Sequence, residues 1–379
     1  MTLPRLVIAC AENDLLVGED GRRYVDLFSA HGAAWLGHAH PRIAARVAAQ
    51  LERLWIAGAL DTAVAAEARR ALEAWVPSSH AVAGFYSTGM EAAEFALRLA
   101  RVVTKRAGAV GFQRSMHGKS LATSVLAWDN GDGVRVPDFT RLPFPPACDE
   151  AAALAALEQA LRAGEVSAVF VEPIQGSGGG WSASAAFHRA VHRRCREAGA
   201  LLVFDEILTG FHRTGPAFFF SDLGVVPDVV LVGKALGNGF PVSAVIADRA
   251  HAVVDAMLPG STYAGNPLAA AAVAATLGEM GVLDLPAKVA AIERTVRAAL
   301  EPLASLGVAL RGRGALWIVE PPAGVDVEAL VVAVYRAGVA VGFAGRYLRV
   351  LPPATIEAAR LDQACRTLAA ELRRACGEP

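Results

Sequence analysis

No excess of either charge marks this sequence: 36 lysines and arginines stand against 37 aspartates and glutamates, a net charge of −1. Without a basic run or face, nothing favours a polyanionic nucleic acid or an acidic lipid surface, and a small neutral ligand is the expected partner. Cysteine is scarce. The five present, Cys10, Cys148, Cys195, Cys365 and Cys376, are odd in number and contain no CxxC pair, which excludes a disulfide framework and a zinc cluster and points to a reducing compartment. Long Leu-rich runs are missing too. The most apolar stretch, 267–283, is Ala-rich and interrupted by Glu279, which suits a buried helix better than a bilayer span. The first residues carry one arginine and a short apolar stretch soon met by Glu12 and Asp14, unlike a signal peptide. The expectation is a cytoplasmic protein with no membrane partner. No internal repeat or Gly/Ser linker is found, so its parts should pack closely.

What is present is a large apolar content, 54% of 379 residues, enough for two to three packed domains. Continuous apolar runs recur at 82–86, 109–112, 166–171, 201–204, 229–232 and 242–247. Lacking in/out alternation, they read as strands covered on both faces. Helical patterns at 91–101, 151–163 and 184–198 lie between them, and this alternation predicts an α/β fold with a mostly parallel sheet. After about residue 275 the texture changes to a helix near 288–303, short strands at 315–319 and 347–350, and a closing helix at 355–376. The expected division is a large domain at 41–275 and a smaller α+β domain at 276–379, with segment 1–40 joining the smaller one.

Ligands of doubly wound sheets collect at the carboxyl ends of strands, and those ends are polar here. Asp205 and Glu206 follow the 201–204 run, Glu172 follows 166–171, Ser87 and Thr88 follow 82–86, and Lys234 follows 229–232. The chain has four lysines; Lys105, Lys119 and Lys288 sit among charged or polar neighbours and read as solvated. Lys234 alone caps a buried strand, where lost hydration lowers an amine's pKa and makes it a candidate Schiff-base former; a core-edge lysine paired with Asp228 or another acid is the plainer alternative. Asp205 needs a cation or several donors opposite it. A protonated pyridine nitrogen and a structural arginine both qualify. Thr88 and Glu91 have capping-box spacing, leaving the amides of Gly89 and Met90 at a positive helix end that suits an anion. Asn266 and Pro267 read as the cap and first position of another helix, with Thr262 in front of it as a weaker phosphate candidate.

Taken in order, nine segments resemble the class III (subgroup II, ornithine/GABA-type) aminotransferases, fold-type-I enzymes that use pyridoxal 5′-phosphate. They are DGRRYVD (20–26), GHAHP (37–41), STGMEA (87–92), MHGK (116–119), VEPIQG (171–176), FDEILTGFHRTG (204–215), GKALGNGFP (233–241), TYAGNPL (262–268) and LRVLPP (348–353). The resemblance implies a ping-pong transfer of an amino group from an amino-acid donor to a ketone or aldehyde acceptor. It implies that Lys234 forms the aldimine with the cofactor, that Asp205 pairs with the pyridinium nitrogen, and that Gly89 and Met90 hold the phosphate through backbone amides. Ile207 and Met116 would pack on the two faces of the ring. Thr262 would reach the phosphate of a neighbouring subunit, so a homodimer with a shared phosphate site is implied. Arg349 and Ser177 are the expected substrate contacts.

Three positions depart from the family pattern. Met116 stands where an aromatic ring usually stacks, Leu208 where a glutamine is common, and Ser177 where many members carry a glutamate that pairs with an arginine like Arg349. An aminomutase or racemase on the same scaffold is therefore a second reading, and a non-catalytic cofactor-binding protein a third. No metal is expected: His188 and His192, four residues apart, have Arg189 where a zinc-protease helix has Glu, and are read as an exposed helix face. The glycine-rich segment 176–180 meets Trp181 where a dinucleotide loop needs its last glycine.

Overall fold

A computed structural model describes residues 6–58, 60–128, 134–251 and 260–378. Among the described residues, a seven-stranded sheet runs in the order His80–Tyr86, Ser243–Asp248, Val229–Val232, Leu201–Asp205, Val166–Val171, Gly108–Phe112 and Phe139–Leu142. The last five pair in parallel. Ser243–Asp248 runs antiparallel to both neighbours. Its direction follows from chain length: residues 233–242 are too few for the crossover that a parallel return requires. The central strands are buried on both faces, as their unbroken apolar runs predict.

Helices Gly89–Thr104, Glu150–Arg162 and Ala185–Ala198 cover the sheet, each opened by the side-chain cap that its sequence offers: Thr88, Asp149 and Ser184. The helix expected near 288–303 spans Leu285–Leu300 and tightens into a 3₁₀ turn, Glu301–Leu306. Pro302 accounts for the change, since it has no N–H to continue the α ladder and its ring crowds the carbonyl four residues back. The Pro267–Val282 helix is lined with buried small residues, and no single described helix is long and apolar enough to cross a membrane.

Beyond the large sheet, strands Ala309–Arg313, Leu316–Glu320, Tyr347–Val350 and Gly342–Ala344 form a second sheet. The N-terminal strands Ile8–Glu12, Leu15–Gly18 and Arg23–Asp26 form a third, completed by Val339–Ala340 from far along the chain. The apolar-run reading missed these N-terminal strands because they are short and half-exposed. One expectation is corrected outright. His188 does not lie on an exposed face: it is fully buried between Phe187 and Phe204, with Nδ1 against the Ser184 carbonyl at 2.9 Å. Its helix turns that face into the core.

Arg213 ties the parts together. It is 1% exposed, lies 3.9 Å over the Trp35 ring, and donates from Nη2 to Gly32 O and from Nη1 to Pro352 O, both at 2.8 Å. Burial alone pushes its pKa below the usual arginine value. Arg213→Met keeps the volume but strands two buried carbonyls, and the expected loss is about 2–5 kcal/mol. Thermal unfolding checks it: a midpoint unchanged from wild type would mean that those carbonyls find other donors.

Candidate active site

The carboxyl ends of the parallel strands converge on one cavity system. After Val229–Val232 the chain enters a 3₁₀ turn, Lys234–Gly237, with Lys234 at φ +43°. A left-handed lysine is strained, and such strain persists only where surrounding structure enforces it. Lys234 is largely buried, and burial brings its ammonium down to about 8; Asp205 and Glu172 oppose that shift while Arg349 and Arg213 add to it. A useful fraction of free amine therefore exists near neutrality. Asp228 is not its partner, since that carboxylate accepts from Leu202 N at 2.8 Å and lies 3.7 Å from His251.

Asp205, at the end of Leu201–Asp205, is 3% exposed. Its Oδ1 accepts from Ile207 N at 3.1 Å, and its Oδ2 lies 2.9 Å from His117 Nδ1. His117 is itself buried against Phe170. Behind them Glu172 accepts from the amides of Met116 and Gly176, both at 2.9 Å, and its carboxyl is pushed up to about 7 by burial and by the Asp205 charge.

Thr88 caps the Gly89–Thr104 helix. Its Oγ1 accepts from Glu91 N at 3.2 Å, while Glu91 Oε2 accepts from Ser87 N and Thr88 N at 3.0 and 2.9 Å. The capping box thus leaves the Gly89 and Met90 amides at the positive helix end for an outside acceptor. Glycine at 89 leaves room for Ile207: a Cβ there would lie 2.7 Å from Ile207 Cδ1 and would push that side chain aside.

A cavity of about 290 Å³ is lined by Ser87, Thr88, Gly89, Met90, Met116, His117, Ile207 and Lys234. It adjoins a larger one, about 740 Å³, that shares Met116 and Lys234 and adds His31, Lys119, Trp128, Ser177, Phe343 and Arg349. The structure therefore brings together Gly89, Met90, Met116, Ile207 and Lys234 around one chamber, with Asp205 behind His117, and places Ser177 and Arg349 in the next. Thr262 stands apart, exposed, in the turn before the helix capped by Asn266. Leu208 lines neither chamber. It packs against the α-carbons of Gly32 and Gly176, where a Cβ would collide with it.

Several lining residues escaped the sequence reading. His117 lies inside a quoted motif, yet its pairing with Asp205 across the sheet leaves no local spacing signal. His31, Trp128 and Phe343 carry none at all. Lys119 remains exposed as expected, but it lines the larger cavity.

The family description Aminotransferase class-III matches residues 2–372. The chain is 32% identical to a 2-aminoadipate transaminase of Pseudomonas putida, covering 91% of this chain and 90% of that protein. It is 35% identical to an acetylornithine aminotransferase of Bacillus subtilis, covering 70% and 69% of the two chains. A [LysW]-aminoadipate semialdehyde/glutamate semialdehyde transaminase of Sulfolobus acidocaldarius is also 35% identical, over 71% and 69%. Among solved structures, a transaminase from the marine bacterium Virgibacillus superposes with a TM-score of 0.92 over 98% of this chain and 94% of that one, at 22% identity.

Proposed function

Because the chain belongs to the class-III aminotransferase family and is a pyridoxal-phosphate-dependent transaminase, we propose that the two adjoining chambers divide its work, the smaller holding the cofactor and the larger the substrates. The observation that carries this reading is the largely buried, strained Lys234 at the junction of both cavities. The donor set fits the cofactor. Free amides at a helix N-terminus suit its phosphate, a buried carboxylate suits its ring nitrogen, and glycine at 89 leaves space that a Cβ would fill.

Pyridoxal phosphate, when bound, supplies an electron sink for negative charge at the substrate carbon. The rest falls to the chain. Gly89 and Met90 hold the phosphate, and Ile207 and Met116 confine the ring between them; methionine supplies a soft, polarisable contact in place of an aromatic stack. Asp205, steadied by His117 and the Ile207 amide, holds a proton at the ring nitrogen. The Lys234 amine attaches the cofactor and moves the proton at the reacting carbon, a role worth about 10²–10⁴-fold for a positioned base. Arg349 and Ser177 receive the amino donor and then the carbonyl acceptor.

We assign the large domain to 41–275 and the small one to 276–379, with 1–40 joining the latter; the pairing of Arg23–Asp26 with Val339–Ala340 supports this. We also propose a homodimer in which Thr262 serves the partner's phosphate site. The exposure of Thr262 and of the large apolar side chains Trp55, Leu60 and Tyr263 supports it, as contact surface for a second copy. The five free cysteines support a reducing, cytoplasmic setting.

The test is spectroscopic. Protein loaded with the cofactor loses its visible absorbance when an amino donor is added and regains it on addition of a 2-oxo acid. Absence of any change across a panel of amino donors would overturn the reading. Product formation without consumption of an external carbonyl compound would indicate a mutase or racemase instead.

A further inference from the structure

Arg349 is 4% exposed, yet no carboxylate lies within ion-pair distance of it among the described residues. Its hydrogen-bond partner is Nδ1 of His31, at 3.1 Å, and its own Nε is buried without a partner. Glu172, the acid whose field reaches it, has its two oxygens taken by the amides of Met116 and Gly176. Ser177 offers a hydroxyl, and Lys119, on the same cavity, adds a second positive charge. A buried guanidinium left in this state demands an anion from outside. The cavity supplies the place for one, because Arg349 and Lys234 line it together and lie near enough for the arginine's charge to lower the lysine's proton affinity.

His31 is held in place at a cost. Residues Ser29, Ala30, His31 and Gly32 all have left-handed backbones, with φ of 47°, 49°, 61° and 83°. Three of them are not glycine, and such a run persists only when its surroundings impose it. Asp26 Oδ1 accepts from the amides of Phe28 and Ser29 at 2.8 and 2.9 Å, Arg213 clamps the Gly32 carbonyl, and the Phe28 ring meets the imidazole edge-on at 4.3 Å. An arginine can only donate, so Nδ1 of His31 accepts and the ring is neutral with its proton on Nε2. A neutral acceptor orients a guanidinium without cancelling its charge. A carboxylate in the same role would do both.

We propose that His31 is a positioning residue that presents Arg349 as a standing, uncompensated cation, so that both half-reactions require a carboxylate beside the reacting carbon: the substrates are amino acids and 2-oxo acids, and terminal amines lacking that carboxylate are rejected. This rests on the transaminase reading of the same cavity. A substrate without the carboxylate leaves the buried cation unpaired in the complex. The apolar wall of Met116, Trp128 and Phe343 leaves the side chain of the substrate less constrained than its acid group.

The experiment uses cofactor-loaded enzyme and two donor pairs that differ by a carboxylate, L-phenylalanine against phenethylamine and L-leucine against 3-methylbutylamine. The carboxylate-bearing member of each pair is expected to lead by about 10³-fold or more in kcat/KM, the scale on which a buried polar group left unpaired discriminates. A binding readout runs beside it: calorimetry of 3-phenylpropionate against 3-phenylpropanamide, with the acid bound about tenfold or more tightly, as a charge-assisted hydrogen bond allows. His31→Ala should erase most of that preference and raise KM for the amino acid about tenfold with kcat little changed. His31→Asn, which keeps an acceptor and tolerates a left-handed backbone, should restore it. Terminal amines turned over within tenfold of their amino-acid partners, or equal binding of acid and amide by wild type, would overturn the proposal. Should neither substituted protein fold, the wild-type comparisons decide it. Failure of every donor would count against the transaminase reading instead, with the acid–amide comparison still testing Arg349.

Discussion

Lys234→Ala is expected to abolish turnover, with a loss of at least about 10⁴-fold, the upper end of what a positioned base supplies. Of the four lysines in the chain, only this one follows a strand buried along its whole length and opens onto both cavities. Its ammonium stands at about 8 because burial outweighs the pull of Asp205 and Glu172. Near neutrality it therefore carries more free amine than an ordinary lysine does. Lys234→Arg makes the sharper control. It retains a cation in the same place but cannot deprotonate at any working pH, so it should be as inactive as alanine if the amine's lone pair is what matters. Borohydride reduction of loaded wild-type protein should fix the cofactor on the peptide containing residue 234, and neither variant should be labelled there. A Lys234→Ala protein within tenfold of wild-type kcat, or label found on Lys119, would remove Lys234 from the chemistry.

How much of this was legible before folding depends on the range of the physical signal. Unbroken apolar runs foretold the strands at the centre of the large sheet, because burial on both faces suppresses alternation within a few residues. Capping at Thr88 and Asn266 was equally local. The Phe139–Leu142 edge strand escaped because it is short and half-exposed, and an edge needs no continuous apolar run. The direction of Ser243–Asp248 lay in the length of the preceding loop rather than in its own residues. His188 deceived for a different reason: one histidine with a backbone partner can be buried among aromatic rings, and polarity alone does not report that. The motifs singled out Lys234, Asp205, Gly89 and Met90, whereas His31 meets Arg349 across a sequence separation of 318 residues and His117 meets Asp205 across 88. Such pairs exist only once the sheet has assembled.

Asp205→Asn separates charge from shape. The amide keeps an acceptor for the Ile207 N–H and fills the same volume, but it no longer holds a proton at the ring nitrogen. The expected fall in kcat is about 10²–10³-fold, the scale of losing one preorganised electrostatic contact. Cofactor affinity should change far less, since the phosphate amides and Lys234 are untouched. The Asp205 charge also raises the Lys234 pKa, and its loss should lower it further below about 8. Uptake of the aldehyde by unloaded protein needs neutral amine, so its pH profile should move to lower pH in the variant. His117→Phe retains the carboxylate but removes the group 2.9 Å from its Oδ2, and should cost about tenfold in kcat, the share of one hydrogen bond. These two substitutions touch one carboxylate from opposite sides. If Asp205→Asn keeps kcat within about fivefold while His117→Phe is severely impaired, the imidazole rather than the carboxylate governs the ring, and the roles assigned here exchange. A uniform loss of cofactor from both variants would instead make Asp205 a packing residue of the cavity floor, because an electrostatic role predicts retained binding with a displaced uptake profile.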